Sequence, residues 1–336
     1  MKLKQIGFLI VMLVLIALPT QAGNRRVILC STYPIFQITR NVVGSLNTVD
    51  VQLLIPAALG CPHDYALTPQ DMGKLSGADV LIVNGLGMEE YLGAPVDKAN
   101  PHIKVIDSSI GIKEILSYVG HGDEHEDDDH DARHEDDHHD TVHEGDHHEK
   151  TDEDGHDHDH EHSGANPHLF ASPRMVSLLA MNIAGELSKL DPNAAGTYFT
   201  NAQAYAGEMN ALAEEFMALG KRLKNNRIVT QHGVFDYLAR DMGLEIVAVV
   251  QEHAGREPSA ADMLAIVKTV KEKKAGAVFT EPQYPAKVGQ TIAREAGIVT
   301  ATLDPVANGP EDAPLDYYET VMRQNLMTLE KTLGTK

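Results

Sequence analysis

The 336-residue chain is poor in features that would anchor it, cross-link it or draw it to nucleic acid. Beyond its first 22 residues, no run approaches the ~18 consecutive apolar residues that a transmembrane helix needs. There are only two cysteines, Cys30 and Cys61, and neither stands at the small-residue stretch Thr20-Gln21-Ala22 where a lipid-bearing cysteine would be sought. Basic residues are scarce, with 28 Lys and Arg against 49 Asp and Glu, and nothing suggests a basic face for nucleic acid. The start of the chain reads MKLKQIGFLIVMLVLIALPTQAG. A basic beginning (Lys2, Lys4), an apolar stretch over 6–18 and small residues after it predict a secretory signal peptide over 1–22. The mature protein is expected to be exported and soluble, beginning near Gly23. In an oxidising compartment its two cysteines can pair, with two free thiols the alternative.

The net charge of −21 is concentrated in one place. Residues 121–163 contain 20 acidic residues against Arg133 and Lys150, which leaves 29 acids and 26 bases in the rest of the chain. The same tract holds 13 of the 18 histidines, and its only apolar side chains are Ala132 and Val142. With nothing to bury it cannot form a core, so it is expected to be a disordered loop when metal-free.

Either side of the tract, short Val-, Ile- and Leu-rich runs alternate with amphipathic stretches. RVILCS (26–31), VDVQLLIP (49–56), ADVLIVNG (78–85) and IKVIDSS (103–109) read as buried strands. PIFQITRNVVG and TPQDMGKLSG separate the first three, the second with Thr68 as N-cap and Pro69 at the first helical position. This βαβα order predicts a parallel sheet covered on both faces. The pattern recurs after residue 225 in NRIVTQ, EIVAVV, AGAVFT and GIVTATL, with helices near 233–242, 259–273 and 285–296. The expected organisation is an N-terminal α/β lobe over 23–192, a linking helix over 193–224 and a C-terminal α/β lobe over 225–336. In the linker Tyr198, Tyr205, Met209, Leu212, Phe216 and Leu219 recur at mostly three- and four-residue steps. One helix on the order of 40 Å fits that spacing, and a rigid connector would limit hinge opening.

Five histidines lie outside the tract: His63, His102, His168, His232 and His253. His63, His168 and His232 each follow a strand end or lie in a loop, and Asp304 follows the last strand. Ligands of parallel α/β sheets collect outside the carboxyl ends of the strands. Three imidazoles and a carboxylate are the right donors for tetrahedral Zn²⁺. His102 reads as a surface residue. Glu281 and His253 are candidates to support a ligand from behind, Glu281 by fixing the tautomer of a ligand imidazole. Arg240 reads equally well as a plain ion-pairing helix residue.

The segments GCPHDYALTPQD, NPHLFASP, TQHGVFDYLARDMGL and TEPQYPAKVGQTIAREAGI resemble the signature segments of the metal-binding receptors of ABC transporters. The periplasmic zinc-uptake receptors, whose acidic histidine-rich loop also falls between the first two ligand histidines, are most similar. The resemblance spans essentially the whole mature chain. It implies two α/β lobes with parallel four-stranded sheets, joined by one long helix, and a metal cleft between them. It implies a periplasmic monomer that is not an enzyme and that hands Zn²⁺ to a membrane permease. By position the ligands are His63, His168 and His232, with Asp304 matching the carboxylate that completes the site in some members. Manganese receptors of the family carry a carboxylate at the position of His232, and the imidazole here suits Zn²⁺ better. Cys61 departs from the family in standing where an acid is common, and Cys30 in standing where a small residue is usual. Both are expected near the cleft rim, which favours a Cys30–Cys61 disulfide, with Cys61 as an additional thiolate donor the alternative.

Rival readings are a receptor for manganese or another divalent metal, a zinc buffer or chaperone working through the tract, and a zinc hydrolase. Against the hydrolase, HExxH occurs only inside the tract, as HEDDH (134–138) and HEGDH (143–147) where no helix is expected to present it, and there is no clear general base beside the candidate ligands. In the tract, His138, His139, His147, His148, His156, His158, His160 and His162 lie among carboxylates and form candidate weak auxiliary sites. A free segment of this length spans roughly 35 Å or more, enough to gather or sense zinc near the cleft. Ligand imidazoles must be neutral, and their reference pKa is about 6.5. Zinc bound at the tract, which has no preformed cage, should therefore be released first as pH falls through about 6. A metal titration of protein dialysed stepwise from pH 7.5 to 5 reads this directly, and full retention at pH 5 contradicts it.

Overall fold

The computed structural model describes residues 25–60, 62, 65–117, 164–251 and 257–335. The expected leader, the tract at 121–163 with its eight auxiliary histidines, and Cys61, His63 and His253 lie outside them. The described strands form two parallel four-stranded sheets. The first contains β1 (Arg26–Cys30), β2 (Val49–Leu53), β3 (Val80–Val83) and β4 (Lys104–Asp107), in the order β2-β1-β3-β4. The second contains β5 (Arg227–Thr230), β6 (Glu245–Val249), β7 (Ala277–Thr280) and β8 (Val299–Thr302), in the order β6-β5-β7-β8. Every one of these strands falls inside an apolar run recognised in the sequence.

Helices α1 (Tyr33–Val43), α2 (Pro69–Gly77) and α3 (Gly93–Ala99) belong to the first sheet. The helices α6 (Asp236–Met242), α7 (Ala260–Lys273), α8 (Lys287–Ala296) and α9 (Tyr317–Leu333) belong to the second. Thr68 caps α2 as expected. Its side chain accepts from the Asp71 amide while the Asp71 carboxylate accepts from the Thr68 amide, a reciprocal capping box with Pro69 at the first turn.

Between the lobes runs a pair of helices, α4 (Pro173–Leu190) and α5 (Ala195–Arg222). The 28 residues of α5 make it about 42 Å long at 1.5 Å per residue. Its buried face carries the expected Tyr198, Tyr205, Met209, Leu212, Phe216 and Leu219. It packs along α4, on α1 of the first lobe and on α6 and α9 of the second. One continuous apolar core results. Ile28 and Phe36 of the first lobe, Met175 and Leu179 of α4, Phe216 of α5 and Phe235 and Phe279 of the second lobe belong to the same cluster. Each such fully buried side chain stabilises the fold by roughly 1.5–3 kcal/mol. The outer faces of the sheets have their own cores, around Leu29, Leu54 and Leu81 in one lobe and Val229, Val278 and Ile292 in the other.

Strand alternation decides the position of Cys30. With Ile28 it faces the shared core, whereas Leu29 faces outward. Cys30 is a fully buried free thiol, pushed up to about 12 by desolvation against a hydrogen bond with Thr39. Its side chain is thus packed under α1 at the strand end. Its expected partner Cys61 lies outside the described residues.

The long connector lies close against the second lobe at Gly220, where an added Cβ would collide with the backbone carbonyl of Met242 at the end of α6. Gly207, on the exposed side of the same helix, has open space around it. Gly220→Ala should therefore lower the melting temperature through about 1–3 kcal/mol of overpacking, and Gly207→Ala should raise it through about 1 kcal/mol of helix propensity. Thermal unfolding of the two variants against wild type checks both signs.

Candidate metal centre

In sheets of this order the direction in which successive strands are added reverses between β1 and β3 and again between β5 and β7, leaving a crevice outside the strand ends at each place. The first lobe fills its crevice with Glu89. That carboxylate accepts from the Ser31 hydroxyl at 2.6 Å and from the amides of Asn84 at 2.7 Å and Gly85 at 3.1 Å. Desolvation nevertheless pushes it up to about 7. The second lobe uses its crevice differently. His232 stands two residues past β5 and Glu281 directly follows β7, and Nδ1 of His232 lies 2.6 Å from Oε1 of Glu281. Both side chains are almost completely buried.

His168 arrives from a different part of the chain. A bridge between Ser117 and Ala165 and a bond from the Asn166 amide to Leu116 O, 2.7 Å, fix the segment on which it sits. The His168 side chain is fully buried, and its Nδ1 lies 2.9 Å from Oδ1 of Asn166. The other end of that amide donates to Gly233 O and to Asp236 Oδ2, both at 2.8 Å, so its oxygen is the end that faces the imidazole. From the first lobe, Asn84 Nδ2 donates to Pro167 O at 2.9 Å. Tyr237 hydroxyl donates to Asn166 O at 2.7 Å. Both lobes thereby hold the His168 turn.

The rings of His168 and His232 lie 5.2 Å apart, edge to face. Each has an oxygen acceptor at Nδ1, which places the ring proton there and leaves Nε2 with its lone pair for a cation. Tyr284 packs against His232 at 5.5 Å and Phe170 against His168 at 5.8 Å. The surroundings are acidic. Burial pushes Asp236 up to about 6, opposed by its bond to Asn166 and by His232. Asp304 is raised by burial and by the charge of Glu281, against a hydrogen bond from the Val306 amide at 2.8 Å.

Of the residues singled out in the sequence, the structure brings His168, His232 and Glu281 together. Asp304 lies two residues past β8, its backbone clamped by Asn325, which accepts from its N–H at 3.0 Å and donates to its C=O at 2.7 Å. Among the described residues no three His, Cys, Asp or Glu side chains gather as a metal group, so Asp304 does not close with the two imidazoles into such a cluster. His102 is exposed, in the turn before β4. Arg240 pairs with Asp241 at 2.8 Å and donates to Glu114 O at 3.0 Å. Asn166, Asp236 and Gln283 escaped the sequence reading. The sole signal for Asn166 is its place two residues before His168, where its side chain also accepts from the His168 amide.

Two doubly covered sheets, a rigid helical connector and paired imidazoles between the lobes define a metal-binding receptor of the solute-binding type. The family of the periplasmic zinc-uptake complex component A (ZnuA) matches residues 28–332, and the chain belongs to that family. Zinc-binding protein AdcA of Streptococcus pyogenes serotype M3 is 31% identical over 304 residues, which are 89% of this chain and 54% of AdcA. The chain thus spans about half the length of the AdcA relatives it matches. High-affinity zinc uptake system protein ZnuA of Bacillus subtilis is 27% identical over 318 residues, 94% of this chain and 89% of the relative. Among solved structures, FpvC of Pseudomonas aeruginosa in complex with Ni²⁺ superposes with a TM-score of 0.71 at 27% identity, covering 92% of this chain and 97% of FpvC. A zinc-bound ZnuA deletion mutant gives 0.70 at 25% identity, covering 93% and 99%. No helix among the described residues is long and apolar enough to cross a membrane.

Loss of the acceptor behind His168 should be costly. Asn166→Ala is expected to weaken zinc binding by about 10–100-fold, the usual effect of removing such a partner. Competition with a chelating dye measures it, and an unchanged affinity would show that Asn166 does not orient the ring.

Proposed function

We propose that the chain is the zinc receptor of an ABC uptake system, capturing Zn²⁺ outside the inner membrane and delivering it to a permease. One observation carries the reading: two buried imidazoles, 5.2 Å apart, each with Nδ1 on an oxygen acceptor, the tautomer whose Nε2 can bind metal. His63, placed by sequence between β2 and α2, supplies the third nitrogen, and Asp304 the fourth donor. Nitrogen donors at these positions favour zinc over manganese. Membership of the zinc-uptake family and the names of AdcA and ZnuA support the same cargo. Binding and release, without chemical turnover, is the activity, and the protein acts as a periplasmic monomer after its leader is removed. The tract at 121–163 gathers or senses zinc with weak sites and is not the tight site.

Metal analysis of untagged protein tests this. Wild type should hold one ion per chain against a chelator that strips the tract, and His63→Ala, His168→Ala and His232→Ala should each lose it. Deletion of 121–163 should leave that ion in place. Loss of tight binding on deletion would transfer the function to the tract, and zinc-dependent hydrolysis would make the protein an enzyme.

A further inference from the structure

The geometry points to Gln283 as a positioning residue of this centre, one that makes the orientation of His232 depend on the first-lobe segment 57–60. The inference rests on the zinc-receptor reading. Glu281 is 1% exposed and presents both oxygens to neighbours: Oε1 to Nδ1 of His232 at 2.6 Å, and Oε2 to Nε2 of Gln283, also at 2.6 Å. A carboxylate this deeply buried is held in a fixed direction only if both oxygens are paired. Gln283 supplies the second of these bonds.

Gln283 is itself held in an unusual way. Its amide oxygen is buried and makes no hydrogen bond among the described residues, where Glu281 is the partner that anchors the amide group. The stem is fixed by packing against the other lobe. A Cβ built on Gly60 would lie 3.0 Å from Cγ and 3.3 Å from Cβ of Gln283, so the glycine leaves just the space that the stem fills. The same stretch is docked on the second lobe through Gly309 N–H to Ala57 O at 3.1 Å and Asn308 Nδ2 to Ala58 O at 3.3 Å. Gly60 precedes the candidate ligand His63 by three residues in the sequence. The line of contacts therefore runs from Gly60 to the Gln283 stem, to Oε2 of Glu281 and to Nδ1 of His232. Filling the space at Gly60, or removing the amide, leaves Oε2 unpaired and lets Glu281 turn. The Nδ1 proton of His232 then loses its fixed acceptor, and the tautomer protonated at Nε2, which cannot bind a cation, becomes populated.

Four variants test this: Gln283→Met, which keeps the stem and deletes the donor, Gln283→Ala, Gly60→Ala, and the double variant Gly60→Ala/Gln283→Ala. Zinc affinity is measured by chelator competition, and the tautomer of His232 by imidazole nitrogen NMR of metal-free protein. Gln283→Met should weaken zinc by about 10-fold or more and turn a single Nδ1-protonated form into a mixture. Gly60→Ala should weaken zinc when Gln283 is present and change affinity by less than about 2-fold when residue 283 is alanine, because the two act through one contact. Wild-type affinity with an unchanged nitrogen spectrum in Gln283→Met, or independent losses in the double variant, would overturn the inference. A wild-type chain without a tight zinc site would overturn the receptor reading instead, and the metal-free spectrum would still decide the role of Gln283.

Discussion

A buried imidazole serves a cation only if its other nitrogen is held, and much of this structure follows from that constraint. Nδ1 of His232 meets a carboxylate at 2.6 Å and Nδ1 of His168 meets an amide oxygen at 2.9 Å. Each acceptor is in turn held by elements that are distant in the chain. Asn166 is tied to Leu116, Gly233, Asp236 and Tyr237, and Glu281 to Gln283. Such a network keeps its geometry only on a frame that does not flex. The continuous core through α4 and α5 supplies that frame, because opening the lobes would expose side chains from both at once.

The electrostatics complement the geometry. Asp236 lies near His232 and Asp304 near Glu281, and burial raises both Asp236 and Asp304. Carboxylates crowded in this way are unfavourable in the empty site and become favourable once a dication shares their field. A ligand present at 1,000 times its Kd adds about 4 kcal/mol to the stability of the fold that binds it. The two crevices show one topology used in two ways. In the first lobe a carboxylate is satisfied by a hydroxyl and backbone amides, while in the second a carboxylate faces an imidazole.

Strands were easy to read because fully buried parallel strands are nearly continuous apolar runs bounded by turn residues. The connector was equally legible from the spacing of Tyr198, Tyr205, Met209, Leu212, Phe216 and Leu219. By contrast α4 and α9 were missed, although PRMVSLLAMNIAGELSKL buries a clear apolar stripe. The ring-bearing residues were legible because imidazoles at strand ends are conspicuous. Asn166 and Gln283 were not, since an amide declares its role only through the partner that folding brings to it. Cys30 shows the same limit. Its place at a strand end was clear from the sequence, but its orientation into the core depends on the side of the strand that α1 covers.

The bridge between Ser117 and Ala165 has a consequence of another kind. It brings the two ends of the acidic insertion side by side, so the folded body meets that insertion as a single point of attachment. Closing a longer loop between fixed ends costs only about 0.6 kcal/mol per doubling of its length. A change in the length of the segment between these ends therefore costs the body little, while the turn carrying His168, three residues beyond the bridge, stays where the two lobes hold it.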